Sequence, residues 1–243
     1  MQVAIITPYF HESLDVLRRC HDSVRGQTYR CTHFMIADGF PNAEVSTWPV
    51  QHIILAKSHA DVGNTPRAIG SLSATNQNFD AIACLDADNW YYPNHVEAMI
   101  KLHEQTGAAV CTAGRTMHRP DGSLLCADHE SNGRDHVDTS CYFFTKPAFR
   151  VLPVWAMMPA QLSPAGDRII WNLIRSLRLP CAHHAEPTVA YRTQYESHYH
   201  RLGETPPPGL KTDTGSVGKA MQWWSALPPD EKADWERRMG LRR

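Results

Sequence analysis

The stretch IACLDADNWYYP, residues 82–93, runs an apolar segment straight into two aspartates one residue apart, then into a tryptophan and two tyrosines. The apolar part reads as a buried strand, and carboxylates are costly to bury unpaired. Asp86 and Asp88 therefore sit either on a solvated turn or beside something positive. The flanking sequence supplies the context. Residues 3–7 are an apolar run stopped by Pro8, and residues 12–24 place Leu14, Leu17, Cys20 and Val24 at helical spacing. Residues 34–37 form a second run, ended by the turn pair Asp38-Gly39, and residues 52–56 a third. Residues 66–74 read as helical, 81–85 are the fourth run, and 94–106 are a helix with Val96, Met99, Ile100 and His103 on one face, closed by Gly107. Residues 108–113 are the fifth run. Continuous apolar strands alternating with helices predict an α/β fold, with a parallel sheet covered on both faces. Such sheets bind ligands beyond the carboxyl ends of their strands. Thr7-Pro8-Tyr9, Asp38-Gly39 and residues 86–89 each follow a strand, so they are expected along one edge.

After Gly114 the pattern changes. Arg119-Pro120-Asp121-Gly122 predicts a hairpin turn, residues 146–152 a short helix with Pro147 in its first turn, and residues 188–192 a short strand. Residues 164–179 carry Ile169, Ile170, Leu173, Ile174 and Leu177 and predict a strong helix. Residues 204–218, ETPPPGLKTDTGSVG, are poor in apolar side chains and read as a loop or hinge. Residues 219–243 alternate aromatic and charged side chains and read as a helical tail in two pieces.

The chain has 243 residues, 24 of them basic and 25 acidic, for a net charge of −1. No global positive field exists to attract a nucleic acid, and none is expected as a partner. The opening MQVAIITPYF has no basic leader and reads as a first strand, and no window approaches the roughly 20 apolar residues of a bilayer span. Seven cysteines, an odd number without a Cys-x-x-Cys pair, fit a reducing compartment. A cytoplasmic protein is expected, with the inner face of the membrane as the other location the tail would allow. Trp223, Trp224 and Trp235 followed by Arg237, Arg238, Arg242 and Arg243 could touch an anionic membrane or a lipid-linked acceptor. The interspersed acids Asp230, Glu231, Asp234 and Glu236 favour instead a helix packed on the domain.

Two carboxylates at i and i+2 on a turning segment point the same way. They can hold a hard divalent cation through oxygen ligands, and such a cation commonly bridges to phosphate oxygens. A strand end capped by solvated acids is the simpler alternative. Asp167, opening the long helix, fits a helix cap.

The ordered set of motifs resembles the family 2 glycosyltransferases of the GT-A fold. VAIITPYF resembles the opening strand and turn, LRRCHDSVRGQTY the first helix, HFMIADGF the second strand, NTPRAIG the Ala-Arg-Asn-x-Gly segment and IACLDADN the DxD strand. TSCYFFTKPAFRVLP resembles the later strand and helix that shape the acceptor side, and AGDRIIWNLI the start of the Glu-Asp helix. The resemblance spans roughly residues 3–199. It implies a Rossmann-like three-layer fold with a mostly parallel central sheet plus the helical tail. Residues 1–203 would form the catalytic domain, with 1–114 as the nucleotide-binding half and 115–203 as the acceptor half.

The resemblance also implies roles. Thr7, Pro8 and Tyr9 would line the base and ribose, and Asp38 would bond the base, usually uracil. Arg67 would face the base or diphosphate, and Asp86 the ribose. Asp88 would ligate manganese or magnesium on the diphosphate, and Asp167 would be the general base. His198, in YRTQYESHYHR, is the candidate that completes the metal site, with His200 and the pair His183-His184 as rivals. Trp90 and Tyr91 would stack on sugar or acceptor, or belong to the core. The implied reaction is metal-dependent, inverting transfer of a sugar from a nucleoside diphosphate, UDP above others, to a hydroxyl of a sugar, lipid-linked or protein acceptor. The alternative is a sugar-nucleotide binder or nucleotidyltransferase of the same fold. Three positions depart from the family pattern: Ala37 stands where an acid is usual, Asn89 where Asp is frequent, and Gly166 where Glu precedes the base.

Overall fold

The computed structural model describes residues 1–241. Four parallel strands open the chain: β1 (Val3–Tyr9), β2 (Thr32–Asp38), β3 (Gln51–Leu55) and β4 (Ala81–Cys84), in the spatial order β3-β2-β1-β4. The connecting helices are α1 (Leu14–Arg25) and α2 (Asn64–Asn76), and α3 (His95–Thr106) follows β4. Every residue of β1 and β4 is buried, as their unbroken apolar sequences require of strands covered on two faces. On β2 the alternation separates two cores. Phe34 and Ile36 join the main core, while Met35 and Ala37 pack with Leu17 of α1, Tyr9, Val45 and Ala87. Gly70 lets α2 lie close on the sheet, because a Cβ there would stand 2.5 Å from Ile36 Cδ1 and 2.9 Å from Ile6 Cγ2. Helix α3 stops at Gly107, whose φ of +66° only glycine adopts readily and whose N–H closes on His103 O at 2.8 Å.

The second half extends the same sheet with mixed polarity. Its strands are β5 (Trp90–Tyr91), β6 (Val110–His118), β7 (Leu124–Ala127), β8 (Tyr142–Thr145) and β9 (Cys181–Arg192), with the order continuing β4-β8-β6-β9-β5. Strand β8 enters antiparallel between β4 and β6, β9 runs parallel to β6, and β7 is the hairpin partner of β6. Short α4 (Val154–Met157) precedes α5 (Gly166–Ser176), whose Ile169, Ile170, Leu173 and Ile174 are buried. Helices α6 (Glu196–His200), α7 (Ser216–Ala226) and α8 (Pro229–Arg238) complete the described chain.

The apolar runs of the sequence locate β1 to β4 within two residues at either end. The fifth run continues through polar residues to His118, and residues 188–192 are only the second half of a twelve-residue β9. In the tail, Trp224 is buried, and Trp223 and Trp235 pack against the main core, so these side chains face the domain. Arg237 and Arg238 pair with Asp234. Arg242 and Arg243 lie outside the described residues. No described helix is long and apolar enough to cross a membrane. All seven cysteines are free, four of them buried.

Candidate active site

A cavity of about 530 Å³ opens at the carboxyl edge of the parallel strands, within the usual range for small-molecule sites. Pro8, Tyr9 and Phe10 reach it from the end of β1, Asp38 from β2, and Asp86, Ala87 and Asp88 from the turn after β4. Helix α2 contributes Asn64 and Arg67, and α5 contributes Gly166 and Asp167. Tyr191, Gln194, Tyr195 and Lys211 close the far side.

On the β2 side, Gly39 has φ +83°, and a Cβ there would stand 2.4 Å from Ser58 N. That close approach brings residues 58 and 59 onto Asp38. Its carboxylate accepts from Ser58 Oγ at 3.1 Å and His59 N at 3.0 Å, and pairs with His59 Nδ1 at 2.8 Å. Tyr9 presents its ring to the cavity while its hydroxyl meets His52 Nε2 at 2.7 Å and accepts from Asn42 N at 3.0 Å. Burial raises this phenol.

The centre is an ion pair. Arg67, 3% exposed, donates from Nη2 to Asp86 Oδ1 at 2.6 Å and from Nη1 to Asn64 Oδ1 at 3.2 Å, and its guanidinium lies 4.7 Å from the Trp155 ring centre. Ser140 fixes the turn from the other side: its Oγ accepts from Asp86 N at 3.1 Å and from Asn89 Nδ2 at 2.9 Å. Asp88 points elsewhere and takes Gln194 Nε2 at 2.5 Å. Its carboxyl is pushed up to about 7, first by burial and then by the charges of Asp86 and Glu12. At the start of α5, Asp167 Oδ2 meets His136 Nε2 at 2.7 Å and Oδ1 accepts from Arg168 N at 2.7 Å.

Pro8, Tyr9, Asp38, Arg67, Asp86, Asp88 and Asp167 thus share one cavity. Thr7 and His198 lie outside its lining. Thr7 is fully buried and bonded to His33 Nε2 at 2.9 Å. His198 bonds Thr193 Oγ1 and touches the rings of Tyr191 and Tyr195, which do line the cavity, and burial lowers its pKa. His183 is held by Thr112 at 2.9 Å, and His184 by Glu186 O at 2.9 Å. Tyr91 is a core residue donating to Cys84 O at 2.5 Å, and Trp90 lies under Arg19. Among the described residues no group of three His, Cys, Asp or Glu side chains converges with metal-ligand geometry.

The three unusual positions have local reasons. Ala37 is fully buried in the apolar cluster beneath α1, where a carboxylate would have no partner. Asn89, 1% exposed, donates to Ser140 Oγ and accepts from Arg192 N at 2.9 Å, a double role an ionised aspartate cannot fill. At Gly166 a Cβ would stand 2.9 Å from the Trp155 ring and 3.0 Å from Asn64 Oδ1, so the Arg67 cradle occupies the space a glutamate would need. Sequence reading missed Asn64, Trp155, Gln194, Tyr195, Lys211 and His136. Gln194 sits in a segment read only for its histidines. Lys211 comes from the Pro/Gly-rich loop, which docks through Lys211 N on Gln194 O at 2.6 Å and Glu196 N on Lys211 O at 3.1 Å.

No curated protein sequence matches the chain. The solved structure of S. aureus TarS 1-349 in complex with UDP superposes with a TM-score of 0.64 at 9% identity, over 98% of this chain and 70% of TarS 1-349. The complex of the same fragment with UDP-GlcNAc gives 0.64 at 8% identity, over the same shares. S. aureus TarS itself gives 0.62 at 10%, over 98% of this chain and 42% of that one. Likeness at such identity shows a shared fold. The sequence signal is independent of it: the model of glycosyl transferase family 2 matches residues 67–151, which run from Arg67 through the Asp86–Asp88 turn to the end of β8 and beyond. Residues 67–151 thus match the glycosyl transferase family 2 model, and the chain as a whole shares the fold of S. aureus TarS.

Proposed function

We propose that the protein transfers a sugar from a UDP-sugar to a hydroxyl acceptor with inversion, aided by manganese or magnesium. The observation that carries this reading is that Asp88 and Asp167 line one cavity. The first carboxylate suits a cation on the donor diphosphate, and the second suits proton removal from an acceptor. UDP and UDP-GlcNAc are bound by TarS, whose fold this chain shares, which supports uridine as the base. Tyr9 and Asp38 would receive the base, Asp86 the ribose and Arg67 the side nearest the diphosphate.

The donor set at Asp88 is a hard oxygen ligand, and magnesium-like ions are held by one or two carboxylates plus substrate phosphates and water. Asp88, with Gln194 released from it, would supply that carboxylate, and the absence of a three-residue cluster among the described residues is compatible with so sparse a site. A bound cation would neutralise the departing diphosphate. Lys211, from the docked loop, adds a positive charge to the same lining. One carboxylate acting on the acceptor opposite the leaving group makes a single displacement, hence inversion at the anomeric carbon.

The experiment is a donor panel. UDP-, GDP- and dTDP-sugars are titrated by calorimetry with manganese, and release of nucleoside diphosphate is then followed. UDP-sugars should bind and turn over. Asp167→Asn should keep donor affinity within about threefold and lose about 10²-fold or more of turnover. Failure of every donor to bind sinks the transferase reading, and normal turnover in Asp167→Asn removes Asp167 as base.

A further inference from the structure

We propose that His136 is a positioning residue for Asp167: it holds that carboxylate turned so that its free oxygen takes the acceptor proton. This rests on the transferase reading above. The connection between β7 and β8 carries His136 and is built to aim it. Both ends of residues 128–138 are tied to one guanidinium, since Arg115, 5% exposed, donates from Nε to Asp128 and from Nη1 to Asp138 Oδ2 at 2.5 Å. Tyr191 covers the same guanidinium at 4.2 Å. Inside the loop, Asn132 N and Gly133 N donate to His136 O at 3.1 and 3.2 Å, and Trp171 Nε1 of α5 donates to Arg134 O at 3.0 Å. The loop is thereby fixed to the helix that carries Asp167.

The contact has a defined direction. A carboxylate only accepts, so His136 Nε2 carries the proton in the 2.7 Å bond to Asp167 Oδ2. His136 Nδ1 is buried and has no partner among the described residues. A doubly protonated ring would bury a second N–H without an acceptor, which favours the neutral tautomer with hydrogen on Nε2. With Oδ2 engaged by His136 and Oδ1 taking Arg168 N through one lone pair, the remaining lone pair of Oδ1 is available to the cavity. In the transfer step the acceptor O–H bond breaks and its proton goes to Asp167 Oδ1. The acceptor oxygen bonds the anomeric carbon as the bond from that carbon to the diphosphate oxygen breaks, and the electron pair leaves with the diphosphate. His136 keeps its own proton throughout. The other charged or titratable groups around the pair are Asp138, Arg115, Arg134, Arg168 and Tyr142, whose hydroxyl donates to Asp167 O at 3.2 Å.

The test compares wild type, His136→Ala and His136→Gln, the last keeping an N–H that can reach the carboxylate. UDP release from UDP-GlcNAc, UDP-glucose and UDP-galactose with manganese is followed, and UDP affinity is measured alongside. In His136→Ala, kcat should fall about tenfold to hundredfold with UDP affinity unchanged. His136→Gln should recover most of the loss. A fall in UDP affinity matching the fall in kcat, or no recovery in His136→Gln, overturns the proposal, since a merely structural histidine would behave so. If wild type releases UDP from no donor, the transferase reading fails on its own account. The pair is then decided by long-range proton–nitrogen NMR. A His136 protonated on Nε2 whose signal shifts in Asp167→Asn supports it, and the Nδ1 tautomer, or no shift, overturns it.

Discussion

The Asp88 carboxyl stands beside Asp86 and Glu12 and is pushed up to about 7, with burial as the largest cause. Below the ordinary aspartate value of about 3.9, folded and unfolded chains both hold the proton. As pH rises from there to 7, the unfolded chain gives up a proton that the folded chain keeps. Stability from this residue therefore falls with rising pH, and the loss is complete only above 7. Asp88→Asn removes the ionisation. The variant should melt a few degrees above wild type at pH 8, about 2–6 °C for a chain of this size, and no higher at pH 4. Thermal melts at the two pH values check it, and an equal gain at both assigns the effect to something other than charge. The same residue should make manganese-dependent donor binding strengthen from pH 6 to pH 8, because a cation must displace the proton. Asp88 is thus held in a state that costs stability, and on the proposed function the same state would serve binding, a common trade at functional sites.

At the scale of elements, the parallel half was legible because its strands are unbroken apolar runs and its turns carry Pro8, Gly39 and Gly107. The second half was not, and β9 shows why. Its pairing with β6 steps from Ala113↔His184 to Gly114↔Pro187 to Arg115↔Val189, so residues drop out of register twice and the two-residue period is broken. Only the stretch after the bulges, residues 188–192, kept a strand pattern. The site residues carried by irregular backbone went unread with it: Gln194 just beyond β9, Lys211 in the docked loop, His136 between β7 and β8. Each is placed by a tether such as Arg115 or a backbone pair, and no periodicity in sequence encodes a tether. Gly114 is the visible trace of the bulge, since a Cβ there would stand 2.9 Å from Ala185 O. Gly114→Ala should therefore destabilise the fold by about 1–3 kcal/mol. It should also weaken UDP affinity measurably, although Gly114 does not line the cavity, because the end of β9 carries Tyr191 and Gln194 to Asp88. Denaturant melts and calorimetry separate the two effects. Unchanged UDP affinity in a destabilised Gly114→Ala would show that the bulge positions nothing in the site.

Over the whole molecule charge is almost balanced, at −1, yet the cavity is not. Its lining holds seven carboxylates, Glu12, Asp38, Asp61, Asp86, Asp88, Asp138 and Asp167, against Arg67 and Lys211. Four of the seven have a cationic or imidazole partner: Asp38 has His59, Asp86 has Arg67, Asp138 has Arg115 and Asp167 has His136. Glu12, Asp61 and Asp88 face no such partner among the described residues, and Asp61 Oδ1 is buried with no hydrogen bond. A bare diphosphate entering this field meets net repulsion in surroundings where charges are poorly screened. On the proposed function, a diphosphate carrying a divalent cation would be attracted to Asp88. The uncharged nucleoside should be indifferent to the cation. In EDTA, UDP should therefore bind more weakly than uridine, whereas manganese should leave uridine unchanged and tighten UDP by at least about tenfold, worth about 1.4 kcal/mol. If UDP binds as well in EDTA as in manganese, Arg67 and Lys211 carry the diphosphate unaided and the cation has no place in the site. If uridine also gains from manganese, the ion acts on the fold of the cavity and not on the phosphates.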